Sequence, residues 1–234
     1  MPSYRFFTEN ALEKDSSIQV EGDEYKHIVK VMRLEKNDTL EIVNGKGSLA
    51  TARIEKIDKT TVTCRIQSVH QELEHQPKFI IAQSLLRPAS LELICEKNTE
   101  LGVMELWFFP AELSDKHDLS SNQLERLHRH RIAALKQSGR LFLPSLRYFS
   151  SLQEVLAQKN VDFFYGDLSP HAVKISSPLQ RVQVPVFLIG PEKGFTLEEN
   201  LLLSKSATGV TLGMYTLRAE TASIAASCLL SAVS

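Results

Sequence analysis

Six consecutive residues, Gly190-Pro191-Glu192-Lys193-Gly194-Phe195, set two glycines and a proline around one carboxylate and one ammonium. They follow Val184-Pro185-Val186-Phe187-Leu188-Ile189, a continuous apolar run that reads as a buried parallel strand. Glycine at such a break lets backbone approach a flat ligand such as adenine, and equally serves any tight turn. A second break follows Gly209-Val210-Thr211-Leu212 at Gly213 and runs through Met214-Tyr215-Thr216-Leu217-Arg218 into a small-residue helix from Ala219. Glu220 in the first turn of that helix complements the helix dipole, whereas a cation at the same end, Arg218, is mildly disfavoured and so invites a functional reading. Arginine stays protonated and is no base, but its guanidinium can hydrogen-bond an oxygen on which negative charge develops.

The elements that must position these residues form two strand-loop-helix units in succession. Thr196 with Glu199 three residues on is a capping-box signature before Leu201, Leu202 and Leu203. Two such units bring both loops to one edge of a parallel sheet, outside the carboxyl ends of the strands. The same alternation extends back through the chain. Lys78 to Leu86 reads as a strand, Pro88 opens a helix that ends at Gly102, and Val103 to Phe109 is the next strand. A helix over 119 to 138, a strand near Leu146 to Phe149, a helix over Leu152 to Gln158 and a strand at Val161 to Gly166 complete an α/β sheet covered on both faces. Residues 1 to 72 differ. Tyr4 to Phe7, Ser17 to Val20, Thr39 to Val43, Ser48 to Ile57 and Thr61 to Val69 read as strands, with hairpin turns at Asn44-Gly45-Lys46-Gly47 and Asp58-Lys59-Thr60. One helix, with Asp23 as its cap and Ile28, Val29 and Met32 as its apolar stripe, joins this small barrel. The polar run Gln71 to Pro77 is the expected linker to a second domain over 73 to 234.

Composition narrows the classes. With 234 residues, 43% of them hydrophobic, the chain can build a core for one large or two small domains. A net charge of -1 gives no global attraction to nucleic acid, so any such affinity must be local. From Leu127 to Gln153 there is no acidic residue, while Arg129, Arg131, Lys136, Arg140 and Arg147 accumulate, which reads as a basic patch or as an ordinary solvated helix face. Three cysteines without a Cys-x-x-Cys pair indicate neither disulfide framework nor zinc site; they are expected as buried thiols in a cytoplasmic, reducing compartment. His117, His128 and His130 lack ligand spacing, so no metal is expected, and the start of the chain lacks the apolar core of a signal peptide. The tail from Ala222 to Val233 is too short to span a bilayer, so no membrane is expected as a partner. Neither Gly-x-Gly-x-x-Gly nor a P-loop is present.

Gly190-Pro191-Glu192 with Gly194-Phe195, followed by Leu212-Gly213 with Leu217-Arg218 and Glu220-Thr221-Ala222, resembles the cofactor loops of the RsmE-type ribosomal RNA uridine-N3 methyltransferases, a SPOUT family. The resemblance covers nearly the whole chain. Arg5-Phe6-Phe7 and His27-x-x-x-Val31-x-Arg33 with Asp38 look like the family's PUA-like N-terminal barrel. Lys97-x-Thr99-Glu100-Leu101-Gly102-Val103 and Gln137-Ser138-Gly139-Arg140 match its middle motifs. The resemblance implies a trefoil-knotted catalytic domain in which Leu188, Gly190, Glu192, Gly194, Leu212, Gly213, Leu217 and Thr221 hold S-adenosylmethionine (SAM). It further implies methyl transfer to a uridine N3 of 16S ribosomal RNA near its 3′ end, on free RNA or the assembled small subunit. Arg218 would stabilise charge or position the target, and the base stays open between Glu220 and Glu192. Arg5, His27, Arg33, Lys97, Arg129, Arg131 and Arg140 would meet RNA, and the C-terminal domain would form a homodimer. By their residue types alone, Lys97 with Glu100 is a surface ion pair, and His27 and Arg33 are surface polar groups.

The chain departs from the family at several positions. Lys193 stands where a second glycine is usual, Ala219 replaces a threonine, Leu113 an arginine, and Ala133 and Lys136 acidic residues. Lys193 is expected to narrow the cofactor loop or add a phosphate contact, and Leu113 to weaken RNA docking. Methylation of another RNA atom, such as a ribose 2′-oxygen, and a non-catalytic RNA-binding role are the alternatives.

Overall fold

The computed structural model describes residues 4–73, 79–167, 169, 172–174 and 183–233. Lys78 and residues 74–77 of the expected linker lie outside the described residues. The chain divides into two compact units, one of Met1–His75 with Ile132–Leu143, the other of Gln76–Arg131 with Pro144–Ser234.

The first unit is built on a five-stranded sheet in the order β1-β3-β4-β5-β2, from β1 (Arg5–Phe7), β2 (Ser17–Val20), β3 (Thr39–Val43), β4 (Ser48–Ile57) and β5 (Val62–Gln71). Only β1 with β3 is a parallel pair. Apolar residues alternate along the strands, so Phe6, Ile18, Val20, Leu40, Ile42, Ala50, Ile54, Val62 and Ile66 share one core. The β3–β4 turn is stapled by Asn44, whose Oδ1 accepts from Lys46 N at 2.9 Å and Ser48 N at 3.1 Å. Gly47 in that turn, at φ 91°, has the Phe142 ring 2.6 Å from where a Cβ would stand, so glycine is required there.

The expected helix forms, with a different start. Glu21 is the N-cap of α1 (Gly22–Lys26), which continues as a π turn over His27–Val31. Asp23 is therefore no cap: it lies inside the first turn, where its carboxylate complements the dipole and pairs with Lys26 at 2.9 Å. Ile28 is buried beneath, Val29 and Met32 pack on the core, and Arg33 closes the turn at φ 55°.

The second unit carries a seven-stranded sheet in the order β10-β12-β9-β11-β6-β7-β8, and every pairing in it is parallel. Its strands are β6 (Ile80–Ser84), β7 (Glu105–Phe109), β8 (Ser145–Tyr148), β9 (Asp162–Gly166), β10 (Val173–Lys174), β11 (Pro185–Ile189) and β12 (Thr208–Thr211). The helices are α2 (Pro88–Glu100), α3 (Ser121–Ser138), α4 (Leu152–Leu156), α5 (Leu197–Ser206) and α6 (Ala219–Val233). Strand residues alternate between two cores. Ile81, Phe108, Phe164, Phe187 and Ile189 pack with α2 and α6, while Ile80, Trp107, Phe163, Val186 and Leu188 pack with α4 and α5.

Two helix ends follow from the sequence. The end of α2 is a Schellman motif: Val103 N donates to Asn98 O at 3.0 Å, Gly102 N donates to Thr99 O at 3.3 Å, and Gly102 sits at φ 95°. The start of α5 is the expected capping box, with Thr196 and Glu199 bonded reciprocally. A buried amide-hydroxyl node joins α2 to α6, where Asn98 Nδ2 donates to Ser223 Oγ at 3.0 Å and Ser227 Oγ donates to Asn98 Oδ1.

Candidate active site

Because every strand of the second sheet runs the same way, the segments after β6, β7, β11 and β12 all leave from one edge. The segment after β11 is a tight turn in which Gly194 N donates to Pro191 O at 2.9 Å and Gly194 takes φ 78°. The Phe195 ring folds back to 3.0 Å from the Cβ position of Gly190, so a larger residue there would have to push the ring aside by a few tenths of an ångström. After β12, Thr211 Oγ1 donates to Gly213 O at 2.9 Å and holds the turn into Met214 and Tyr215, which are 87% and 76% exposed.

The first loop is tied to the segment after β7. Glu199 is buried yet ionisable, and its two oxygens accept from Glu112 N at 3.0 Å and Thr196 N at 2.9 Å. Thr196 Oγ1 donates to Glu112 Oε2 at 2.9 Å. Beside this set, Lys193 Nζ reaches Asp115 Oδ1 at 2.8 Å, raising the Lys193 pKa and lowering that of Asp115 through their shared bond. Lys193 thus turns toward the β7 segment, and Glu192 faces Arg87 at 3.8 Å. Glu112, Asp115 and Arg87 had no sequence signal, because their role depends on a partner far along the chain.

The expected cofactor residues gather at this edge, with one qualification. Gly190, Glu192, Gly194, Leu212, Gly213 and Leu217 lie in the two loops and Thr221 in the first turns of α6, but the Leu188 side chain is packed in the α4/α5 core. Arg218 is exposed, its carbonyl accepts the first bond of α6 from Ala222 N at 2.8 Å, and among the described residues none pairs with its guanidinium. Glu220 is half-buried beside it in the first turn. At the end of β6, Gln83 Oε1 and Ser84 Oγ are fully buried and have no partner among the described residues. Sequence reading passed over both, since they end an apolar strand.

The basic stretch on α3 is not the open patch that the local absence of acids implied. Glu92 of α2 pairs with Arg126 at 2.7 Å and His130 at 3.4 Å, and Arg129 faces Glu125 at 3.8 Å. Arg131 is buried, which lowers its pKa, and NH1 donates to Pro144 O at 2.5 Å, so it is not a surface contact. Lys136 pairs with Glu24 at 2.6 Å, and Arg147 lies over Trp107 and Phe149 at 5.0 and 4.8 Å. Burial pushes Arg140 down to about 10 against the opposing charge of Glu72.

The remaining expected RNA contacts are mixed. Both Nε and NH2 of Arg5 bond Glu41 Oε2, at 3.0 and 2.9 Å, and its side chain is 9% exposed. His27 is half-buried with its ring edge against Phe6, whereas Arg33 is exposed. Lys97 bonds Glu96 at 2.7 Å and Glu100 at 2.9 Å, as the spacing suggested. Cys64 and Cys95 are buried, which raises both to about 12, but Cys228 is exposed on α6, contrary to expectation. Among the described residues no group of His, Cys, Asp or Glu could hold a metal ion, and no helix is long and apolar enough to cross a membrane.

A knotless reading of composition would stop at an α/β sheet with a ligand edge; comparison with known proteins gives the class. The RNA methyltransferase domain family matches residues 74–231, and the RNA methyltransferase PUA domain family matches residues 20–67. The ribosomal RNA small subunit methyltransferase E of Bacillus subtilis is 30% identical, covering 97% of this chain and 93% of its own. That of Rickettsia conorii is 29% identical, covering 95% and 92%. A methyltransferase of Legionella pneumophila, solved in complex with the bound cofactor SAM, is 25% identical and superposes with a TM-score of 0.91 over 99% of this chain and 98% of its own. The chain belongs to the ribosomal RNA small subunit methyltransferase E family.

Proposed function

We propose that this chain transfers a methyl group from SAM to N3 of a uridine in 16S ribosomal RNA, near the 3′ end in the decoding region. The observation that carries the reading is that the Gly190 and Gly213 loops leave one sheet edge, together with an Arg218 unpaired among the described residues, in a chain of this family.

The residues present fit the cofactor. Nothing lies within 4 Å of the Cβ positions of Gly194 and Gly213, so a ligand can lie against bare backbone at both. Gln83 Oε1 and Ser84 Oγ, buried without a partner among the described residues at the same edge, are polar groups of the kind that a guest satisfies. Gly190, Glu192, Gly194, Leu212, Gly213, Leu217, Thr221 and the backbone of Leu188 would hold SAM, which supplies an electrophilic methyl group when bound. The chain's own residues orient the uracil and manage its charge. Loss of the N3 proton leaves negative charge on the ring oxygens, and the Arg218 guanidinium, unpaired among the described residues, is a donor at this edge to receive it. Glu220 and Glu192 are the carboxylates available to take the proton.

In this reading residues 73 to 234 form the SPOUT catalytic domain, with the trefoil threading of its two loops, and residues 1 to 72 form the PUA-like RNA-binding domain. Arg5, His27, Arg33, Lys97, Arg129 and Arg140 contribute to RNA docking, with Arg33 and Arg129 the exposed arginines among them. A homodimer forms through the C-terminal domain, where Ile224, Ala225 and Leu229 of α6 are only half-buried, and the enzyme works in the cytoplasm. The test is methyl transfer from labelled SAM to unmodified 30S particles and to protein-free 16S RNA, followed by digestion and mass identification of the nucleoside. Recovery of 3-methyluridine is expected. A ribose-methylated product would overturn the target atom, and RNA binding without product would overturn the enzyme.

A further inference from the structure

Gln83 is the one amide in the apolar strand β6, and its side chain is 0% exposed. Burying a carboxamide is unfavourable unless both ends are bonded, and a conservative apolar residue of the same length would pack there without that penalty. Only one end is bonded. Nε2 donates to Ser84 O at 3.1 Å and, across the sheet edge, to Gly190 O at 3.5 Å, while Oε1 has no partner among the described residues. The two carbonyls at Nε2 fix which end of the amide is the nitrogen, so the unmet group is an acceptor.

The position of that acceptor follows from strand alternation. Gln83 shares a sheet face with Ile81, in the core that also holds Leu212, Ala219 and Ala222. These residues bracket the segment from Gly213 to Arg218. Gln83 pairs in register with Ile189, the residue before Gly190. The amide therefore sits where the first loop leaves the sheet, its nitrogen on the backbone of that loop, on the sheet face against which the start of α6 packs; the second loop leaves from β12, with β9 and β11 between. Ser84 points to the opposite face and does not share this position.

We infer that Gln83 is a cofactor-positioning residue: its nitrogen fixes the Gly190 carbonyl, and its oxygen accepts from an amine N–H of bound SAM. The inference rests on the proposed SAM-dependent activity. SAM offers two such donors, the adenine amine and the α-ammonium group, and 5′-methylthioadenosine keeps only the first.

The test is calorimetry of SAM and of 5′-methylthioadenosine on the full chain and on Gln83→Met, which keeps the length and removes both bonding ends. Stoichiometry reports the folded fraction, so the dissociation constant is read per competent site. Gln83→Met is expected to weaken SAM at least tenfold with stoichiometry and apo melting temperature little changed. An equal loss for 5′-methylthioadenosine identifies the adenine amine, and a loss confined to SAM identifies the ammonium. Binding of SAM within threefold of the unmodified chain overturns the inference, even if Gln83→Met melts lower, because the unmet oxygen then belongs to a buried water or to nothing. Should Gln83→Met fail to fold, Gln83→Asn keeps the amide on a shorter side chain and is held to the same tenfold and threefold limits. No SAM binding by the unmodified chain would instead sink the functional reading itself.

Discussion

Replacing Glu199 by alanine isolates the interaction that seats the loop from Gly190 to Phe195. The carboxylate is buried and accepts from two backbone N–H groups, Glu112 at 3.0 Å and Thr196 at 2.9 Å. Truncation leaves two part-buried donors without their acceptor, at about 0.5–1 kcal/mol each, so the second unit should lose about 1–2 kcal/mol. Glu199→Gln keeps an oxygen for one donor and presents an amide to the other, and should lose about half as much. At about 2–4 °C per kcal/mol for a chain of this size, Glu199→Ala corresponds to a drop of about 2–8 °C in melting temperature. Trp107, the single tryptophan, is buried in the same core as Leu203 of α5, so its fluorescence follows this unit through a urea titration. The bonds are part-buried and made to backbone N–H groups, and most of the loss should persist in high salt. If Glu199→Ala unfolded at the same urea concentration as the unmodified chain, the carboxylate would not be the seat of the loop and the reasoning would fail.

Arg218→Ala should lower methyl transfer by about 10²–10³, the usual loss of an oxyanion-type donor, while SAM affinity by calorimetry changes little. A collapse of SAM affinity would show that Arg218 holds the cofactor instead. Disrupting the exposed tether by Lys193→Gly or Asp115→Asn should weaken SAM by less than about fivefold at low salt and not at all at high salt. Asp115 is lowered from an ordinary 3.8, so its share is present above that value and lost as pH falls through the depressed pKa. Lys193 is raised from 10.5, so its share is complete below that value and lost as pH rises through the elevated pKa, leaving a flat profile between the two. Arg33→Gly should raise stability by up to about 1 kcal/mol by relieving the left-handed backbone at φ 55°, yet weaken RNA binding and reduce its salt slope by about 1. Denaturant titration and binding across a salt series would measure the two effects separately.

The parts of the fold written in local pattern were legible. The apolar run before Gly190, the Thr196–Glu199 box and Gly102 after α2 each encode their element within a few residues, and each element is present. Strand β10 is two residues long and carries no period to detect. Asp23 misled because any acidic residue near a helix start fits a cap, and backbone angles at Glu21, not residue type, decide the position. The basic stretch misled for a different reason. Counting charges along 127 to 153 cannot see Glu92 and Glu96, which α2 brings against α3 from outside that window. The glycines and Arg218 stand out in the sequence as candidates, but Gln83 does not, because an unmet hydrogen bond exists only once the strand is buried.

The strand order also sets a timetable. Strands β6, β7 and β8 pair in sequence and can assemble as soon as they are made. The other side of β6 must wait for β11, and the bond from Gln83 to Gly190 spans 107 residues. At synthesis rates of about 5–20 residues per second, the growing chain carries an open flank on β6 for roughly 5–20 s before β11 emerges. The half-sheet is then an exposed, apolar edge inviting wrong partners, and the loops after β11 and β12 take their places only once those strands have emerged and paired. The edge from which these loops leave is therefore completed late in synthesis, because the β6–β11 pairing is the one most distant along the chain.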